Sequence, residues 1–179
     1  METLKIVGIC ILSAIFYGVL HDQVTVRVCV EYFTMGHPPI FLTDEPTILA
    51  LGWGVLATWW VGLSLGLPLA LVCRVGSLPK YSTTSLLRPI CCLLLAMGIF
   101  SLIAGVIGFF VAEAGGVWLL EPLSTRVPRE KHSLFLADLW AHLAAYGGGF
   151  IGGIGICIWI LLRRYRSGQD NVTIGPIGS

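Results

Sequence analysis

Charged side chains are scarce in this sequence. Only 12% of its 179 residues are Asp, Glu, Lys or Arg, whereas soluble domains carry about 25%. Hydrophobic residues make up 56% of the chain, and many of them lie in long runs. This balance excludes an ordinary soluble domain. The net charge of +1 gives no reason to expect nucleic acid as a partner.

Two familiar kinds of site are also missing. The six cysteines contain no C-x-x-C pair, which a structural zinc site or a covalent haem attachment would require. The sequence has no phosphate-binding glycine loop, and it has no internal repeat of the kind found in many transporters. The cysteines are therefore expected to be small apolar side chains within helices.

Four hydrophobic runs are long enough to cross a bilayer, which takes about 20 apolar residues per helix. The predicted spans are 5–22, 48–73, 89–112 and 134–162. We therefore predict an all-α membrane protein in contact with the lipid bilayer, built as a four-transmembrane-helix bundle with a structured outer loop. A single membrane domain would cover 1–166, and a disordered cytoplasmic tail would cover 167–179.

The basic residues predict how the bundle is oriented, because Lys and Arg favour the cytoplasmic side. Four crossings place both termini on the same side as the middle loop. That side holds seven basic residues: Lys5, Arg74, Lys80, Arg88, Arg163, Arg164 and Arg166. The other side holds four: Arg27, Arg126, Arg129 and Lys131. We expect a multi-pass protein of the bacterial inner (plasma) membrane, with both termini in the cytoplasm.

The segment 23–33 has two interpretations. Valines alternate with polar residues at Val24, Val26, Val28 and Val30, a period of two that is typical of a strand. A single strand cannot lie in lipid with unpaired backbone groups. Either the segment pairs outside the membrane, or the first helix continues through it.

Small residues recur at four-residue spacing in the last span. They include Gly148, Gly149, Gly152 and Gly153. Close backbone approach supplies contact energy between helices in lipid, where the hydrophobic effect is weak. This pattern predicts a tight bundle or an interface in a homo-oligomer or a larger membrane complex.

The candidate functional residues gather at the outer ends of the spans. Asp138 and His142 are four residues apart, hence on one face of the last helix, and well below its predicted start. Ionisable residues at such depth usually face the bundle interior and indicate a functional site. The predicted constellation is His21, Asp22, Glu113, Asp138 and His142, with Glu31 and His37 as loop contributors.

Three chemical interpretations of this constellation remain open. Histidine and carboxylate ligands suit transition metals such as zinc, iron, manganese or copper. A carboxylate beside a histidine also suits proton transfer or substrate binding. The third interpretation is a buried Asp–His hydrogen bond that joins two helices without further function.

The first third of the chain carries a resemblance. The stretch from His21-Asp22-Gln23 through Glu31-Tyr32-Phe33 to Gly36-His37-Pro38, with Leu51-Gly52-Trp53-Gly54, resembles a family of bacterial integral membrane proteins without a known activity. The resemblance implies a membrane location and no particular chemistry.

The leading functional hypothesis is a small membrane protein with a polar, metal-binding site near its outer face. One alternative is a non-catalytic accessory or scaffold subunit of a membrane complex. Another is a b-type haem protein with His21 and His142 as axial ligands. Whether the protein is an enzyme is not predicted.

Overall fold

The computed structural model describes residues 1–173, and their side chains as far as Gln169. Within this part of the chain every regular element is helical and there is no strand. The α-helices are α1 (Glu2–Val28), α2 (Val30–Met35), α3 (Pro46–Leu56), α4 (Trp59–Arg74), α5 (Thr83–Glu113), α6 (Leu123–Arg126) and α7 (His132–Thr173), and a 3-10 turn covers Arg129–Lys131. The predicted all-α fold is confirmed.

Among the described residues, four helical units are long and apolar enough to cross a membrane, as the hydrophobic runs predict. They are Glu2–Val28, Pro46–Arg74, Thr83–Glu113 and Arg129–Gln169. Large apolar side chains cover much of the outer surface; Leu95 is 70% exposed and Ile151 is 75% exposed. Such a surface fits lipid and not water, so the chain is a four-helix candidate membrane bundle of the multi-pass type.

The segment 23–33 is helical. The first helix continues to Val28, Cys29 is extended, and α2 begins at Val30. On a helix the alternating valines divide between two faces. Val24 is 61% exposed whereas Val26 is 1% exposed, so the period of two reflects neither a strand nor a single buried stripe. Cys29 and α2 turn the chain back over the bundle as the structured loop.

The second span is broken in its middle. Helix α3 ends at Leu56 and α4 begins at Trp59, where the sequence predicts one continuous helix. The Thr58 hydroxyl donates to the Gly54 carbonyl, and the Tyr146 hydroxyl of α7 donates to the Ala57 carbonyl at 3.1 Å. These side chains satisfy backbone groups that the break releases, as irregular backbone at membrane depth requires.

Helix α1 packs against the broken span through glycines. A Cβ atom added at Gly54 would lie 2.6 Å from the Val19 backbone, and one at Gly62 would lie 2.6 Å from the Ile11 Cα atom. These are the positions at which the helix backbones approach closely. The glycines that were predicted to form an interface in the last span lie against side chains and not against a helix backbone. They face flexible side chains of the neighbouring helices: Gly148 and Gly149 face Met97, Gly152 faces Leu93, and Gly153 faces Leu65.

Two clusters of buried apolar residues lie at opposite ends of the bundle. One includes Phe33, Leu49 and Phe135 at the end where α1 and α5 finish, which we call the site end. The other includes Ile6, Cys73, Leu86 and Ile160 at the end where α1 begins and the described part of α7 finishes, which we call the terminal end. The candidate polar residues lie between them, next to the first cluster.

The last helix is longer than predicted. It continues past residue 162 to Thr173, so residues 167–173 of the predicted disordered tail are helical. Proline is absent from this stretch and Gly168 is its only strong helix breaker, which by itself costs a helix only about 1 kcal/mol. The remainder of the predicted tail, 174–179, lies outside the described residues.

Candidate functional site

Three of the predicted site residues come together. His21 and Asp22 lie at the same level of α1, and His142 faces them from α7. Each offers a ligand atom, and these atoms all lie within 4.8 Å of one another. Asp22 is 5% exposed and His142 is 8% exposed, so this group, which we call the His/Asp/His group, is shielded from the surroundings of the bundle.

The protonation of His142 is constrained by its neighbour on the same helix. Its Nδ1 atom lies 2.7 Å from the backbone oxygen of Asp138. A carbonyl oxygen only accepts hydrogen bonds, so Nδ1 must carry a proton and donate it. In the neutral ring, Nε2 is then the nitrogen with the free lone pair.

That lone pair points at a carboxylate. His142 Nε2 lies 3.3 Å from Asp22 Oδ1. Two groups that both present lone pairs repel each other, so something positive must lie between them. It is either one proton, held on the ring or on the carboxyl group, or a metal cation bound by both atoms.

His21 has the same tautomer for a different reason. The Ser101 hydroxyl donates its only hydrogen to the Ala141 carbonyl at 2.9 Å. Its oxygen can therefore only accept from His21 Nδ1, which lies 3.4 Å away. The proton of a neutral His21 is on Nδ1, and Nε2 presents a lone pair. This Nε2 atom is buried and has no hydrogen-bond partner among the described residues.

Aromatic rings hold the two imidazoles in place. Tyr17 stacks on His21 with ring centroids 5.6 Å apart, and Tyr32 stacks on His142 with centroids 4.5 Å apart. The two imidazoles meet edge to face at 4.5 Å. Locked rings of this kind keep the ligand atoms in one geometry, as a preorganised site requires.

Beyond the group, His37 lies in the loop after α2 and covers it. It donates from Nδ1 to the Tyr32 carbonyl at 2.9 Å and lies against the Trp53 ring, with centroids 4.6 Å apart. Burial lowers the pKa of His37 below its ordinary value of 6.5, so this side chain is neutral at neutral pH. His37 lies above the group without being one of its members, and its role as a loop contributor stays a prediction.

Asp138 lies one helical turn from His142, and its side chain does not belong to the His/Asp/His group. It is 2% exposed, and its Oδ2 atom has no hydrogen-bond partner among the described residues. Its contribution to the group is the backbone oxygen that accepts from His142. The carboxyl group itself lines a separate groove between α1 and α5.

Two predicted glutamates lie elsewhere: Glu113 of the constellation and the loop contributor Glu31. Glu113 is exposed at the end of α5 and is not a member of the group. Glu31 lies 4.0 Å from the Lys131 ammonium and accepts from the Cys29 thiol at 3.4 Å. Of the five-residue constellation, only His21, Asp22 and His142 form the group. Glu113 is turned outward, and Asp138 contributes only its backbone oxygen.

The group opens onto a cavity inside the bundle. This axial cavity has a volume of about 140 Å³ and is lined by His21, Asp22, His142 and His37 at the site end. Towards the terminal end its lining becomes apolar, with Leu65, Met97 and Ile156 among the contributors. The histidine and carboxylate side chains that line the cavity thus all lie at one end of it.

Sequence reasoning did not select Ser101 or Tyr32, which position the two histidines. A signal for Ser101 exists, because it is the only hydroxyl residue between Pro89 and Ala112.

The sequence Gly62-Leu63-Ser64-Leu65-Gly66 matches the G-x-S-x-G pattern of hydrolases. However, Ser64 lies inside α4 and donates to the Val61 carbonyl at 3.0 Å, which is not the strand-to-helix turn that such a nucleophile needs.

A haem held between His21 and His142 does not fit. With metal–nitrogen bonds of about 2 Å on each side, ring centroids on opposite faces of a haem lie roughly 6 Å apart or more. The two rings are 4.5 Å apart and edge to face, which leaves no room for a porphyrin between them.

Comparison with known proteins does not identify a family. No family model, no curated protein and no solved structure matches it. The resemblance of the first third to a bacterial membrane-protein family therefore stays a prediction, and any function has to be argued from the site.

Proposed function

We propose that this protein is a membrane protein that binds one divalent transition metal ion through His21, Asp22 and His142. The observation that carries the proposal is the shared tautomer of the two histidines. An acceptor beside each Nδ1 atom keeps the proton of the neutral ring on Nδ1, so both rings present Nε2 lone pairs next to a buried carboxylate.

The spacing of one pair of ligand atoms is compatible with a metal, and all three ligand atoms lie within 4.8 Å of one another. Two ligand atoms about 2.0–2.1 Å from one tetrahedral ion are roughly 3.3–3.4 Å apart. His142 Nε2 and Asp22 Oδ1 are 3.3 Å apart. The partners of the histidines also fit, because a metal-bound histidine almost always donates its other N–H to a carbonyl, carboxylate or water. His142 does so to a carbonyl and His21 does so to a hydroxyl.

Two histidines and one carboxylate suit zinc or iron(II). Three protein ligands leave one or more coordination positions for a further molecule, and the three residues line the axial cavity. The proposal therefore assigns the cavity as the place from which that molecule reaches the ion. We further propose that the protein lies in a bacterial inner membrane. The distribution of Lys and Arg supports cytoplasmic termini, which would put the site under the outer face.

The test is the metal content of protein purified in detergent and dialysed against zinc or iron(II). We expect about one ion per chain in the wild type, and a loss of most of it in His142→Ala and Asp22→Asn. His132→Ala is the matched control, since His132 donates to the Val127 carbonyl at 3.0 Å in the loop before α7. That variant is expected to keep its metal.

A cysteine variant separates a ligand from a merely structural residue. His142→Cys restores a zinc ligand without restoring an imidazole, so it should recover zinc that His142→Ala has lost. A metal-free wild type would refute the proposal. Equal metal content in wild type, His142→Ala and Asp22→Asn would do the same, and the Asp22–His142 contact would then be a shared proton that joins α1 to α7.

A further inference from the structure

A second cleft lies on the outside of the bundle, between α1 and α5. This lateral groove has a volume of about 920 Å³, within the range of roughly 300–1,000 Å³ that is usual for ligand sites. It follows α5 from Leu94 to Phe110, a length of about 24 Å at 1.5 Å per residue. It is therefore long and runs along the membrane-spanning direction.

The rims of the lateral groove are apolar and face outward. On α1 they are formed by Phe16, Leu20 and Val24, which are 62%, 52% and 61% exposed. On α5 they include Leu95, Ile99 and Leu102, which are 70%, 60% and 66% exposed. In a membrane these side chains meet lipid, so the groove opens sideways to hydrocarbon.

The floor of the groove is made of small residues and one carboxyl group. Gly98, Ser101 and Gly105 of α5 and Ala137, Asp138 and Ala141 of α7 contribute to it. Asp138 Oδ2 has no hydrogen-bond partner among the described residues. A buried polar atom of this kind is costly in lipid unless it is paired. Oδ2 exposes almost no surface to the groove, so the Asp138 side chain must turn slightly to meet a polar group that an occupant brings.

The width of the groove favours a hydrocarbon chain over a helix. His21 and Ser101 join α1 to α5 at the level of the floor, with 3.4 Å between Nδ1 and Oγ. A helix with its side chains is about 10–12 Å wide, which is too wide to reach Asp138 between helices joined at this point. An extended acyl or isoprenoid chain is slim enough.

We propose that the lateral groove binds a membrane lipid, with its hydrocarbon chain along α1 and α5 and a hydroxyl or amine group paired with Asp138. The inference does not depend on metal occupancy. His21 lines both the lateral groove and the axial cavity, so a lipid bound here lies one side chain away from the His/Asp/His group.

The test uses a photoreactive long-chain alcohol with a diazirine in its chain, added to the intact protein in detergent micelles. Labelled residues are mapped by mass spectrometry. We expect saturable labelling of the groove residues of α1 and α5, and only unsaturable labelling of the exposed face of α7 around Ile154. A matched photoreactive alkane without the hydroxyl should label the groove more weakly.

Two glycine variants separate the groove from the general surface. A Cβ atom at Gly98 or at Gly155 meets no atom within 4 Å, so both positions accept a larger residue, but only Gly98 lines the groove. Gly98→Leu should reduce groove labelling by about fivefold or more, and Gly155→Leu should leave it unchanged. Asp138→Leu should abolish the preference for the alcohol over the alkane, and His142→Ala should retain it.

Several results would overturn the proposal. One is groove labelling that never saturates in the wild type, and another is labelling that Gly98→Leu does not reduce. A third is a wild-type dimer that crosslinks through the groove and that Gly98→Leu converts to monomers, since the occupant would then be a second copy of the chain. Retained labelling in metal-free His142→Ala keeps this test separate from that of the metal site.

Discussion

At the scale of single residues, the candidate site depends on what the Nδ1 atoms of its histidines bind. Ser101 is a link in this arrangement, because it accepts from His21 and donates to Ala141. Without the serine oxygen, the ring of His21 has no partner that holds its proton on Nδ1. Ser101 is therefore a positioning residue for the proposed metal ligand.

We expect Ser101→Ala to weaken metal binding by about 10- to 100-fold, the usual effect of losing a partner of a metal-bound histidine. The measurement is competitive zinc titration with a chromogenic chelator. Ser64→Ala is the matched control, since Ser64 donates to its own helix at 3.0 Å and is not part of the group. Equal weakening in both variants would mean that loss of packing, and not loss of the His21 partner, causes the effect.

The sequence predicts how deep the polar residues lie in the membrane, but it does not predict which of them face the interior of the bundle. Counting along the spans brings His21, Asp22 and His142 to one level, and the structure places them together. The same count brings Glu113 to that level, yet it is exposed at the end of α5. The rotation of one helix against another follows from packing across the whole interface, which a single sequence does not specify.

At the scale of elements, the broken second span shows how a helix can be interrupted inside the bundle. The sequence predicts a continuous helix there because the residues around the break are good members of an apolar span. The interruption depends on a residue of another helix, Tyr146 of α7, whose hydroxyl group donates a hydrogen bond to the Ala57 carbonyl. A contact between residues 89 positions apart leaves no local signal.

Replacing Tyr146 by Phe removes this hydrogen bond and leaves the Ala57 carbonyl unpaired next to the axial cavity. We expect the free energy of unfolding in mixed micelles to fall by about 1–3 kcal/mol. Tyr165→Phe serves for comparison, because Tyr165 is 58% exposed near the end of the same helix and should change stability by less than about 0.5 kcal/mol. An unchanged free energy in Tyr146→Phe would show that the break is stabilised by other contacts.

At the scale of the whole molecule, Arg164 joins the last helix to the connection between the second and third spans. It is 1% exposed, and its guanidinium group donates to the carbonyl oxygens of Val72, Val75, Leu78 and Pro79. The guanidinium group thus satisfies carbonyls at the C-terminal end of α4 and in the turn that follows. One side chain thus ties the last helix to the end of α4 and to the turn that leads into α5.

We expect Arg164→Leu to lower the free energy of unfolding by about 2–4 kcal/mol, because several buried carbonyls lose their donor together. The neighbouring Arg163 is exposed and lies over the Trp159 ring at 5.0 Å, so Arg163→Leu should cost no more than about 1 kcal/mol. Both values come from denaturant titration in micelles. Similar losses in the two variants would argue that net charge at this end, and not the carbonyl contacts, matters.

The position of Arg164 late in the chain has a consequence for biosynthesis. The carbonyls of the turn after α4 are made long before residue 164 leaves the ribosome, so this turn cannot reach its final form while the first three spans are being inserted. It closes only when the last helix arrives. The final transmembrane segment therefore completes the assembly of the earlier ones, and a nascent chain that stops short of it is an incomplete bundle, open to the quality-control proteases of its membrane.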